Sequence, residues 1–183
     1  MSDPHTVPTR PRAASRFSSA LRYRDDHHPN QTQLTPPYAL EPIRAALGGT
    51  IALDPCTEPD NPTGADRFFT PPTDGAAEPW DAESIFVNPP YSRAKDRWAR
   101  RCIEAGASGA RVALLIPAHP DTRIFQALLT SADAVTFVRG RLKFGIPREN
   151  GRQQAASHPS AIFTWGCDTA PLAAIGITMG GAR

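Results

Sequence analysis

Asn88, Pro89, Pro90 and Tyr91 form a stretch whose residue types suit a chemical step. The Asn88 side-chain oxygen and the Pro89 backbone carbonyl are two acceptors side by side. Pro90 restricts Pro89 to extended dihedrals, so that carbonyl points in a fixed direction. An aromatic ring follows at Tyr91. Such a set suits a planar group carrying an NH2, such as adenine: two N–H bonds are accepted while the ring stacks on the tyrosine. The competing use of the same residues is a proline turn closing a strand, with Asn88 as a turn residue.

The elements around these residues must hold them at an edge. Ser84-Ile85-Phe86-Val87 is a short apolar run rich in β-formers and reads as a buried strand. Two prolines cannot continue a sheet ladder, so the strand stops and Asn88 sits at its carboxyl end, the usual ligand edge of an open α/β sheet. Upstream, Thr35 is expected to cap a helix with Pro36 at its first position. Leu40, Ile43 and Leu47 follow at helical spacing, and Gly48-Gly49 ends the run. Residues 50–53 predict a strand ending in Asp54-Pro55-Cys56, an acidic strand end followed by a loop. Downstream, residues 93–107 and 122–131 predict helices. Residues 112–116, 134–138 and 160–165 predict strands, the first apolar enough for a central parallel position. The alternation points to one α/β domain with a mostly parallel sheet.

The chain has 183 residues, enough for one domain with a real core. A net charge of +2 gives no overall field toward nucleic acid, so any such contact must come from local patches. The best local patch is the stretch holding Arg141, Lys143 and Arg148; its other reading is an ordinary loop between edge strands. Residues 1–33 are polar, proline-punctuated and rich in arginine. They are expected to be a disordered basic arm before a domain at 34–166, with 167–183 as a C-terminal extension carrying no motif. The three cysteines match neither a disulfide framework nor paired zinc ligands, and no metal is expected. No apolar run reaches membrane-spanning length and no signal peptide is visible, so a cytoplasmic location is expected.

In this context Asn88-Pro89-Pro90-Tyr91 resembles motif IV of amino-group methyltransferases that use S-adenosylmethionine. The stretch is most similar to that of the small, Dam-like adenine-N6 DNA methyltransferases of phages and prophages. Thr35-Pro36-Pro37 before a helix resembles motif X of that group, whose threonine region holds the methionine end of the cofactor. Asp54-Pro55 resembles the motif I loop, and Asp74-Gly75 before the Asn-Pro-Pro-Tyr strand resembles motif III. The resemblance spans about residues 34–165. It implies a Rossmann-like methyltransferase domain with a trimmed sheet, S-adenosylmethionine as cofactor and double-stranded DNA as partner. It further implies Asn88, Pro89, Pro90 and Tyr91 as catalytic residues and Thr35, Pro36, Asp54, Pro55 and Asp74 at the cofactor. Asp74-Gly75 is equally a turn signal. The glycine-rich loop of the wider methyltransferase class is missing, with Thr57-Glu58-Pro59-Asp60-Asn61-Pro62 in its place. A similar Asp-Pro loop with a following Asn occurs in the phage-type branch.

Two other functions remain open from the residues. A guanine N2 amine or a protein glutamine amide also presents an NH2 on a planar group. The Thr-Pro-Pro element and the short segment between Asp54 and Asn88 favour adenine. A degenerate, non-catalytic DNA-binding domain would explain the missing glycine loop, and cofactor binding separates it from an enzyme.

Overall fold

The computed structural model describes residues 34–91, 95–145 and 152–180. The expected arm, Ser92 and Arg148 lie outside them. Nine strands occur among the described residues: β1 (Leu53–Asp54), β2 (Arg67–Phe68), β3 (Ser84–Val87), β4 (Arg111–Pro117), β5 (Ala134–Val138), β6 (Lys143–Gly145), β7 (Gln153–Ala155), β8 (Ser160–Trp165) and β9 (Gly176–Gly180). The helices are α1 (Pro37–Ala46), α2 (Lys95–Ala107) and α3 (Arg123–Ser131), with a 3-10 turn at Ala170–Ala174.

Seven strands form one sheet in the order β2-β1-β3-β4-β8-β5-β9. The pairs β1–β2, β1–β3 and β3–β4 are parallel. β8 runs antiparallel to both of its neighbours, and β9 antiparallel to β5. β1 to β5 therefore share one direction and only β8 and β9 oppose it, the mostly parallel Rossmann-like arrangement expected. The trimming is visible at one side: β1 and β2 are two-residue ladders, and no helix connects them or joins β2 to β3. After β2 the chain crosses to the far side of β1. The crevice between the carboxyl ends of β1 and β3 is thus the topological switch point where open α/β sheets take ligands.

Alternation along the strands divides the core. Leu53, Ile85, Val87, Val112, Leu114, Ile116, Val135 and Phe163 pack with Trp98, Cys102, Phe125 and Leu128 of α2 and α3 on one face. Phe86, Ala113, Leu115 and Ile162 pack with Ala39, Leu40, Ile43 and Leu142 on the face covered by α1. Because both faces are covered, β3, β4 and β8 read as nearly unbroken apolar runs. α3 forms where expected but starts one residue later, with Thr122 as N-cap accepting from the Phe125 N–H.

Two expectations change. α1 starts one residue late: Pro36 is its N-cap, and Thr35 lies outside it. Pro37 forces Pro36 into extended dihedrals (φ −68°, ψ 147°), so Pro36 cannot be the first helical residue. The segment after residue 166 is part of the sheet: β9 pairs with β5 over five residues, and Leu172 of the 3-10 turn is fully buried in the α1 face.

β6 and β7 form a separate hairpin inserted between β5 and β8. It leaves the carboxyl end of β5 and returns to the start of β8, the end paired with Pro117 at the carboxyl end of β4. It therefore belongs to the same edge of the sheet as Asn88.

Candidate active site

Asn88 directly follows β3, half-buried, with Pro89 buried behind it. Its side-chain Nδ2 donates to the Thr35 hydroxyl at 3.1 Å. Two residues 53 positions apart, each singled out separately from the sequence, thus meet at the switch point. The Thr35 hydroxyl is available because Pro36 is the cap residue. The two proline rings also thin out the start of α1. Pro37 has no N–H, and Ala39 and Leu40 both donate to the Pro36 carbonyl. The Tyr38 N–H and the positive end of the helix dipole are what that end has left for an anion.

Asp54 ends β1 on the neighbouring strand and is almost completely buried. One carboxylate oxygen accepts from the Cys56 N–H at 3.1 Å and the other from the Thr63 hydroxyl at 2.8 Å. Burial pushes its pKa up from 3.8 to about 6, against the pull of the Cys56 N–H and the Thr63 and Thr57 hydroxyls. Asn61 completes the loop at a left-handed φ of 46°, a conformation asparagine tolerates. Its side-chain oxygen accepts from the Ala65 N–H and its nitrogen donates to the Ala65 carbonyl, at 3.1 and 3.0 Å. Asn61, Thr63 and Gly64 (φ 58°) supply the turns that a glycine-rich run would otherwise supply.

Cys56 links this loop to the end of β3, where Asn88 stands. Burial, with Asp54 beside it, pushes its thiol pKa well up; the Asn88 backbone N–H bonding to the sulfur pulls the other way. The thiol is protonated at neutral pH and serves as a packing and hydrogen-bonding group.

Tyr91 packs edge-on against Phe144 of β6, ring centroids 6.1 Å apart. Its hydroxyl is buried and has no hydrogen-bond partner among the described residues. Burial, with Cys56 nearby, drives its pKa far up, so it stays a neutral donor. A buried donor without a partner costs about 1–3 kcal/mol.

Asp74 opens a turn. Its Oδ1 accepts from the Ala76 N–H at 3.2 Å and its Oδ2 pairs with Arg97 of α2. The next residue, Gly75, lies so close to the Pro55 carbonyl that a Cβ there would sit 1.8 Å from the oxygen. The loop resembling motif III is thereby laid directly on the loop resembling motif I. Arg101 donates to the Glu78 carbonyl at 2.9 Å and lies over the Trp80 ring, while the Trp80 indole N–H reaches the Gly75 carbonyl at 2.8 Å. Two of the four cations of α2 thus hold this loop, Arg97 from an exposed position and Arg101 partly buried.

Arg141 is exposed just before β6 and Lys143 is exposed on it, while Leu142 and Phe144 between them are buried. The alternation turns both cations outward on the edge that carries Asn88. At this edge His119, after β4, also meets His158, before β8, with ring centroids 4.6 Å apart. Sequence reading missed Thr63, Cys56 and Phe144 as parts of the site. Only the Asn following the Asp-Pro pair gave a hint of the loop.

A switch-point crevice lined by Asp54 and Asn88, in a sheet of this order, defines a Rossmann-like methyltransferase domain. The family model described as DNA N-6-adenine-methyltransferase (Dam) matches residues 28–179. The chain belongs to that family, one of DNA methyltransferases. No curated protein and no solved structure matches it. No helix among the described residues is long and apolar enough to cross a membrane.

Proposed function

We propose that this protein transfers a methyl group from S-adenosylmethionine to the N6 amine of adenine in double-stranded DNA. The observation that carries the reading is the convergence of Thr35, Asn88 and the Asp54 loop at the switch point of a Dam-family sheet. When bound, S-adenosylmethionine supplies a methyl group on a positively charged sulfur. The residues present fit such a group: a buried carboxylate at Asp54 and the positive end of α1 beside Thr35-Pro36. Pro55 and the Asp74–Gly75 turn form the rest of the proposed cofactor wall.

The chain's own residues then act on the base. An aromatic amine is a poor nucleophile because its lone pair is delocalised into the ring. Acceptance of both N–H bonds, by the Asn88 oxygen and the Pro89 carbonyl, draws that density back to nitrogen and stabilises the positive charge that develops there. Pro90 holds the Pro89 carbonyl in place, so little reorganisation is needed during reaction. The amine is out of reach inside a duplex, so the base leaves the stack and lies against the Tyr91 ring. Arg141 and Lys143 contact phosphates from the same edge and position the duplex without reading sequence; Arg148, outside the described residues, is proposed to assist them.

The test is isotope-labelled methyl transfer to DNA by wild type and Asn88→Ala, with mass spectrometry of the nucleosides. Labelled N6-methyladenine is expected from wild type and almost none from Asn88→Ala, with cofactor binding by calorimetry nearly unchanged. Label on guanine or on protein glutamine would overturn the choice of substrate. Failure of the wild type to bind the cofactor would support a non-catalytic DNA-binding domain instead.

A further inference from the structure

We infer that the Thr35 side chain is a positioning group for Asn88, held in register by the β6–β7 hairpin, and is not a ligand of the cofactor. The inference rests on the methylation reading and assigns its geometry. An asparagine amide has nearly the same shape with its NH2 and C=O exchanged, and only one of the two orientations can catalyse. With the oxygen toward the target amine, Asn88 accepts an N–H bond. With the nitrogen there, donor faces donor and the reaction is opposed. In the structure Nδ2 donates to the Thr35 hydroxyl, which places the NH2 on the Thr35 side and the oxygen away from it.

Thr35 performs this role because of where its neighbours hold it. On one side Pro36 caps α1, so the hydroxyl is not spent on the helix. On the other side Leu34 is joined to Gly145 at the end of β6 by two backbone hydrogen bonds, Leu34 N–H to Gly145 O at 3.0 Å and the reverse at 2.9 Å. The approach is tight, since a Cβ on Gly145 would lie 3.2 Å from the Leu34 Cβ. The Tyr38 hydroxyl also accepts from the Lys143 N–H at 3.3 Å, tying the start of α1 to the same strand. Tyr91, the other proposed base contact, leans on Phe144 of that strand. The strand that follows Arg141 and bears Lys143 toward DNA is thus the strand that supports both Asn88, through Leu34-Thr35, and Tyr91.

Thr35→Val keeps the shape of the side chain and removes the acceptor; Thr35→Ser keeps the acceptor. Two readouts are needed. The first is single-turnover methylation of duplex DNA at saturating cofactor, with the cofactor Kd from calorimetry. Thr35→Val is expected to react roughly tenfold more slowly, the scale of one lost hydrogen bond. Its cofactor Kd should stay within about twofold, and Thr35→Ser should recover most of the rate. The second is NMR of the Asn88 side-chain NH2 in the full-length protein. Its exchange with water is expected to be slow in wild type and Thr35→Ser and fast in Thr35→Val. A Thr35→Val protein with a weakened cofactor Kd and an undiminished rate at saturation would make Thr35 a cofactor ligand and overturn the inference. An equally protected Asn88 amide in Thr35→Val would do the same. A wild type that methylates no adenine would instead overturn the functional reading, a result distinguishable from either.

Discussion

Asp54→Asn is expected to stabilise the protein at neutral pH while weakening its hold on a cationic cofactor. The carboxylate is buried, and its pKa rises from 3.8 to about 6 on folding. Between those values the folded state binds more protons than the unfolded state, so stability is fully present below about pH 4 and is lost as pH rises toward 6. A rise of roughly two pKa units corresponds to about 3 kcal/mol, the upper limit of what ionised Asp54 costs at pH 7. Asparagine preserves the contacts: its oxygen can accept from the Cys56 N–H and its NH2 can donate to the Thr63 hydroxyl. Urea unfolding of both proteins from pH 3.5 to 7.5 measures the difference and cancels every other titrating group. The gap should open in favour of Asp54→Asn across pH 4–6.5. Cofactor affinity should move the other way, falling for wild type below pH 6 as Asp54 protonates and staying flat and lower by ~1 kcal/mol in the variant. A difference in stability that does not vary with pH, or an Asp54→Asn protein less stable than wild type at pH 7, would refute this account of the buried charge.

Removing Arg141 and Lys143 together, as glutamines, should weaken DNA binding across sequences and reduce the salt slope by about 2, one for each phosphate contact. An unchanged slope would move the contacts elsewhere on the chain. Tyr91→Phe should keep substantial activity and lose no stability, since its hydroxyl has no partner among the described residues. Tyr91→Ala should lose ~1–3 kcal/mol of base stacking, partly recovered when the target adenine faces a mismatch. Single-turnover rates on matched and mismatched duplexes decide it: if Phe is as inactive as Ala, the hydroxyl has found a ligand partner and stacking alone is the wrong explanation.

What could be read in the sequence is what local chemistry dictates. β3 and β4 are apolar runs cut off by proline, and α3 carries apolar residues at helical spacing, so these elements and the edge they define were legible. β9 was not. Gly176-Ile177-Thr178-Met179-Gly180 has neither a buried run nor strong propensity, and it becomes a strand by pairing with β5, where the Thr178 and Thr136 hydroxyls lie 2.7 Å apart. The contacts of the α2 cations were equally out of reach, because Arg97 and Arg101 are engaged with a loop about twenty residues earlier. Thr35 shows the limit most clearly: a threonine before two prolines looks like a cap, and only the long-range return of β3 gives its hydroxyl another use.

The missing glycine loop, the strongest argument for a degenerate domain, loses much of its force once the turn is considered physically. A glycine run at a strand end lets the chain adopt left-handed dihedrals and approach a ligand closely. Here Asn61 and Gly64 provide the left-handed positions, and Gly75 lets its turn lie directly against the Pro55 carbonyl. The bonds that fix the loop converge on Asp54, through Cys56 and Thr63, instead of on a bound phosphate or a helix start. A carboxylate used only as a structural bracket would be better replaced by a neutral amide, because its burial works against folding at neutral pH. An acid that stands there despite this cost supports the proposed contact with a positively charged cofactor.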